Sequence, residues 1–226
     1  LASKGNARPE RHLTLRNAID WSWQLLSPAE QHVLAQAAIF RGGFSVEAAE
    51  SVIRPLDEEW VFDVLQRLAE KSFIQCKTVE GVRRFTFLQS IQQFILDATS
   101  ASDAVRRHRE YFLKYAGDWS QSCHRAEAKE AHRMLSLELD NMLQAARTEQ
   151  NVHTIRFALL LDAHLEERGP RSIHEALLDA AIHCVTKGEL SDQITIYAAR
   201  ARLRRDSKDK EASNPVEIHA IQTLAA

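Results

Sequence analysis

The chain has 226 residues and a mass of 25.7 kDa, enough for one or two domains with real hydrophobic cores. Its 45% apolar and 27% charged residues are those of an ordinary globular protein. With 29 basic against 31 acidic side chains the net charge is −2, and residues 1–100 carry 11 basic and 12 acidic groups, which excludes a basic half that would steer the chain toward nucleic acid. Residues 1–12, "LASKGNARPERH", have neither the apolar core of a signal peptide nor an initiator Met, and read as a linker from something longer.

The predicted elements follow in chain order. Leu15, Ala18, Ile19, Ser22, Trp23 and Leu26 recur at helical spacing, with Thr14 as a candidate N-cap. Ser27, Pro28 and Glu30 then form a strong helix start, cap, first position and third position in turn. That helix carries Val33, Leu34, Ala37 and Ala38 and is expected to stop at Gly42-Gly43. A short helix covers Val46 to Ile53 and ends before Pro55; Asp57 is the candidate cap of a third main helix, whose inner face is Val61, Val64, Leu65 and Leu68.

"FIQCKTV" and "VRRFTFL" flank Glu80-Gly81, a tight hairpin in which Gly supplies positive φ. The second strand runs directly into a helix over 89–99 with Ile91, Phe94, Ile95 and Ala98 on one face. Three helices with one β-wing make a winged helix over residues 13–100. From Asp103 onward no strand pattern occurs. Five helical stretches are marked by Phe112 and Ala116, by Leu135 and Met142, by Ile155 and Leu165, by Leu177 and Cys184, and by a start at Ser191; Pro215 restarts another. Short polar turns between helices of this length suggest stacked antiparallel pairs, a tetratricopeptide-like array over 101–226. The predicted fold is therefore mainly α, with one β-hairpin.

"RHLTLRNAIDWSWQLLSPAEQHVLAQAAIFRGGFSVEAAESV", followed by "VLQRLAEKSFI" and "RRFTFLQSIQQFI", resembles the segment that follows the ATPase in bacterial STAND-type signalling proteins, regulators with an NB-ARC-like nucleotide-binding module. "ELDNMLQAARTEQN" and "HLEERGPRSIHEALLDAAI" resemble the start of the helical repeats beyond it. The resemblance implies a winged helix that packs on the ATPase and holds it closed with ADP, and repeats that receive a protein or small-molecule inducer, in signal transduction and transcription regulation. The ATP or ADP belongs to that parent module. This chain has no G-x-x-x-x-G-K-[ST] phosphate loop, so no catalytic residue, bound cofactor or enzyme activity is expected of it.

In NB-ARC proteins the wing strand meets the next helix at a Met-His-Asp motif whose His contacts the ADP β-phosphate. The matching positions are Phe87, Leu88 and Gln89, and Leu88 cannot donate a hydrogen bond to phosphate. Related bacterial proteins have "LLETIREYA" where this chain has "FLQSIQQFI". The join is therefore expected to be a packing surface for the ATPase module in cis. Its candidate contact residues are Trp21, Arg83, Arg84, Phe87, Leu88 and Gln89, with one of Trp21 and Trp23 beneath the wing and the other toward the neighbouring domain.

Other chemistries have weaker support. The helix from Glu58 to Lys71 sets Glu58, Glu59, Asp63 and Glu70 against Arg67 and Lys71, which disfavours direct DNA binding. The histidines are scattered without H-E-x-x-H, so no metal site is expected. "RARLRRDSKDK", residues 200–210, reads as the solvated end of a helix. No apolar run approaches the roughly 18 residues a membrane helix needs. Cys76, Cys123 and Cys184, odd in number and widely spaced, point to a reducing, cytoplasmic compartment. The alternatives to the regulatory segment are a stand-alone peptide-binding scaffold, with its concave surface over 125–226, and a DNA-binding winged helix.

Overall fold

A computed structural model describes residues 7–100, 102–148, 151–184 and 190–206. Among these the fold is mainly α with a β-hairpin, as the periodicities suggest. The chain divides into two compact units, residues 1–108 and 109–226.

In the first unit the order is α1 (Ala7–Gln24), α2 (Pro28–Ala37), β1 (Phe44–Ser45), α3 (Val46–Val52), α4 (Val61–Glu70), β2 (Ile74–Val79), β3 (Val82–Phe87) and α5 (Gln89–Ala98). Helix α1 begins at Ala7, so residues 7–12 are helical and Thr14 lies inside the helix instead of capping it. Pro9 falls in the first turn, where its missing N–H removes no intrahelical bond.

The capping box of α2 forms in full: the Ser27 hydroxyl accepts from the Glu30 N–H at 3.2 Å, and Glu30 Oε2 accepts from the Ser27 N–H at 2.8 Å. Glu30 also receives Lys71 Nζ at 2.7 Å, which ties the start of α2 to the end of α4. Burial pushes the Glu30 carboxyl up, but the hydrogen bonds from Lys71 and Ser27 outweigh it and hold the group below its ordinary value. Helix α2 ends at Ala37, five residues before Gly42, and the chain turns through Gly42 and Gly43 at φ 66° and 93°.

Helix α4 buries Val61, Val64, Leu65 and Leu68 as the pattern requires. Its N-cap is Trp60, which offers no side-chain acceptor, and not Asp57. At the other end Ser72 has φ 62°, with Phe73 N–H on the Leu68 carbonyl at 3.0 Å and Ser72 N–H on the Ala69 carbonyl at 2.9 Å. This is a Schellman close with serine at the left-handed position that usually favours glycine. Ser72→Gly is expected to raise stability by about 0.5–1 kcal/mol, read as the midpoint of urea unfolding.

The hairpin turns at Glu80 and Gly81 with φ 50° and 81°, the two positive values a type I′ turn requires. Val79 pairs with Val82 and Ile74 with Phe87. A third strand, absent from the sequence reading, completes the sheet: β1 pairs Phe44 with Phe85 and Ser45 with Arg84, giving the order β1-β3-β2, all antiparallel. Phe40 and Phe44 stack at 4.4 Å, and Phe44 meets Phe85 at 5.8 Å, so the sheet joins the core through aromatic rings.

The second unit continues α6 (Ser102–Ser120), within which the division falls, and adds α7 (Ala128–Arg147), α8 (Val152–Glu167), α9 (Arg171–Cys184) and α10 (Leu190–Asp206). Each of α7 to α10 packs on the next, and α10 also reaches α8, as stacked helical hairpins do. The arginine run is more than a solvated end: its two described arginines are paired with acids, Arg202 while remaining exposed. Arg200, largely buried, pairs with Asp179 at 2.8 Å, and Arg202 with Asp162 at 2.5 Å, so both clamp α10 onto α9 and α8. The run stays helical to Asp206; residues 207–210 and Pro215 lie outside the described residues.

Candidate interdomain site at the wing junction

The passage from strand to helix without a loop rests on Leu88. Its backbone is extended, φ −73° and ψ 133°, so it prolongs β3, while its carbonyl accepts from the N–H groups of Ile91 and Gln92 at 3.0 Å each and opens α5. A leucine cap supplies no side-chain acceptor. The side chain points outward and is 47% exposed, beside exposed Gln89 and Ser90. Phe87 is half-buried against Phe44, 6.4 Å between centroids. A cleft of about 360 Å³ lies alongside, lined by Phe40, Gly42, Gly43, Gln75, Lys77, Thr86, Phe87, Leu88 and Gln92.

The candidate contact residues separate into two groups. Trp21 is 65% exposed on α1, and Leu25, one turn on, is 62% exposed. Arg83, Leu88 and Gln89 are exposed. Arg84 is different. It is 2% exposed, and Nη2 donates to the Gly43 carbonyl at 2.9 Å. It fastens the glycine turn to β3 and presents no surface to a partner. The alternation along β3 leaves this face open to solvent only if nothing covers it, and the turn before β1 covers it. Trp23 packs edge-on against Phe94 of α5 at 6.4 Å, not beneath the wing.

Sequence reasoning missed Gln92. It is buried, and Nε2 donates to the carbonyls of Ala38 at 2.9 Å and Phe40 at 2.6 Å. These carbonyls follow the end of α2, so one amide seats α5 on the first helical layer. Its position next to the Ile91, Phe94 and Ile95 stripe is the signal that could have found it. Ala98, read as part of that stripe, is exposed.

The junction offers apolar contact and hydrogen bonding. Among the described residues no group of three or more His, Cys, Asp or Glu side chains is placed to hold a metal ion, and Cys76, Cys123 and Cys184 are free thiols. Among the described residues no helix is long and apolar enough to cross a membrane.

No protein-family model matches the chain, and no solved structure matches it. A protein of Mycobacterium tuberculosis that bears the name of an HTH-type transcriptional regulator is 31% identical over 163 residues, 70% of this chain and 18% of that protein; its Mycobacterium bovis counterpart matches to the same extent. An uncharacterized protein of Mycobacterium tuberculosis is 35% identical over 115 residues, 47% of this chain and 29% of that protein. The chain is thus similar, over most of its length, to one segment of a far longer protein named as a transcriptional regulator, of which it spans less than a fifth.

Proposed function

We propose that this chain is the regulatory, protein-docking segment of a larger STAND-type transcription regulator of the cytoplasm. In this reading its winged helix packs on a nucleotide-binding module in cis through Trp21, Leu88 and their neighbours. Its helical unit receives a protein or small-molecule inducer and relays that binding to the junction. The segment carries no catalysis of its own; nucleotide chemistry belongs to the parent module.

The observation that carries the reading is the exposure of large apolar side chains, Trp21, Leu25 and Leu88, in a unit whose own core is complete without them. A partner surface accounts for such exposure. In the full-length regulator Trp21→Ala and Leu88→Asp are each expected to speed release of bound ADP by about tenfold, equivalent to about 1.4 kcal/mol of lost contact. Release rates unchanged in both variants would rule the docking role out.

A DNA-binding winged helix is the second reading, favoured by the name of the relative. Against it, Asp57, Glu58, Glu59, Asp63 and Glu70 are exposed on and before α4. The helix's own cations are engaged as well: Arg67 with Glu59 at 2.7 Å, and Lys71 with Glu30 at 2.7 Å. Phosphate contacts need such cations unpaired. Salt-sensitive binding of the chain to a duplex at micromolar concentration or below would reverse the order of the two readings.

A further inference from the structure

Two histidines of the helical unit are buried against each other. His132 of α7 and His164 of α8 are 4% and 1% exposed, their rings lie 5.3 Å apart, and the two Nδ1 atoms approach to 3.0 Å. His132 Nε2 lies 3.1 Å from Glu167 Oε2. A carboxylate only accepts, so this Nε2 carries a proton. The Nδ1–Nδ1 contact holds one proton. With both rings neutral, that proton sits on His164 Nδ1 and His132 Nδ1 accepts it. A proton added to His132 sets two N–H groups head-on unless His164 changes tautomer, and one added to His164 buries a cation. Two added protons do both.

From this geometry we propose that the His132–His164 pair is an acid-sensitive latch between α7 and α8, closed while both rings are neutral and released as protons arrive. The charged groups that act on it are Glu167 and Arg168 at the end of α8; burial first and then Glu167 push the nearby Cys123 thiol up, which keeps that thiol neutral beside the pair. His164 is pushed down to about 4 by burial first and then by charge on His132. Glu167 is held below its ordinary value by its hydrogen bond with Arg168 first and by His132 next. An unfolded histidine titrates near 6.5. The packing is therefore fully stable above pH 6.5, and that stability is lost as pH falls from 6.5 toward 4.

The latch is tested in the whole chain by hydrogen exchange, corrected for the intrinsic pH dependence, and by imidazole nitrogen NMR. Peptides of α7 and α8 should lose protection by about tenfold or more between pH 6.5 and 4.5. His164→Phe, which cannot take up a proton, should lose little. At pH 7.5 the wild-type NMR spectrum should show neutral rings, with the proton on Nε2 of His132 and on Nδ1 of His164. An imidazolium at that pH, or an equal loss of protection in the variant, would overturn the proposal. If His164→Phe does not fold, the wild-type NMR titration decides alone: a latch requires protonation of His164 to coincide with the loss of protection in α7 and α8.

Discussion

Gly43→Ala is expected to destabilise the winged-helix unit by about 2–4 kcal/mol. Two costs add. The backbone at Gly43 has φ 93°, a region that an L side chain rarely enters. A Cβ there would lie 2.8 Å from Thr86 Cγ2 and 2.9 Å from the Phe85 carbonyl oxygen, so β3 would have to move away from the turn that Arg84 holds. The same change at Gly117 in α6, where a Cβ meets nothing within 4 Å, should instead raise stability by about 0.5–1 kcal/mol through a stiffer unfolded chain. Urea unfolding followed by tryptophan fluorescence measures the first, since Trp21, Trp23 and Trp60 all belong to this unit. A Gly43→Ala midpoint equal to wild type would show that the turn does not press on β3.

Gln92→Leu comes next in size, at about 2–4 kcal/mol. Leucine fills a similar volume, yet it removes the two buried hydrogen bonds that the amide donates to the Ala38 and Phe40 carbonyls, and losing a buried bond on one side costs about 1–3 kcal/mol. Gln92→Glu separates shape from hydrogen bonding. A carboxylate keeps the length but presents oxygen to oxygen, so it should be worse than leucine at pH 7 and recover as the carboxyl protonates in acid. Exchange rates of the α5 amides report the loss where it occurs. If Gln92→Leu matched the wild-type protein in stability, the amide could not be what seats α5.

Elements set by local chemistry were readable in the residues themselves. The box of Ser27 and Glu30, the Glu80-Gly81 turn and the inner face of α4 each depend on neighbours within a few positions. The candidate site was readable in outline, because a strand pattern abutting a helix pattern marks the junction and an apolar Leu88 marks its surface. What escaped depends on distant backbone. Strand β1 has two residues, too few for any periodicity, and exists because β3 offers it an edge. Arg84 is a polar side chain whose acceptor lies 41 residues away, so its burial has no local signature. Gln92 sits beside an apolar stripe that hints at burial, but its acceptors, more than 50 residues away, have none. Arg200 and Arg202 form a cationic run in sequence and an interhelical clamp in space, because the opposing acids Asp162 and Asp179 come from two earlier helices.

The single residue at the strand–helix join has a mechanical consequence. Leu88 belongs to both hydrogen-bonding systems, so no slack separates the wing from α5: a tilt of one is delivered to the other through two rotatable bonds. Adding one residue after Leu88 would turn the helix by about 100°, carrying Gln92 and Phe94 off their seats together while the hairpin kept its register. The joint behaves as a crankshaft, whose phase as well as length is set by the position of one leucine.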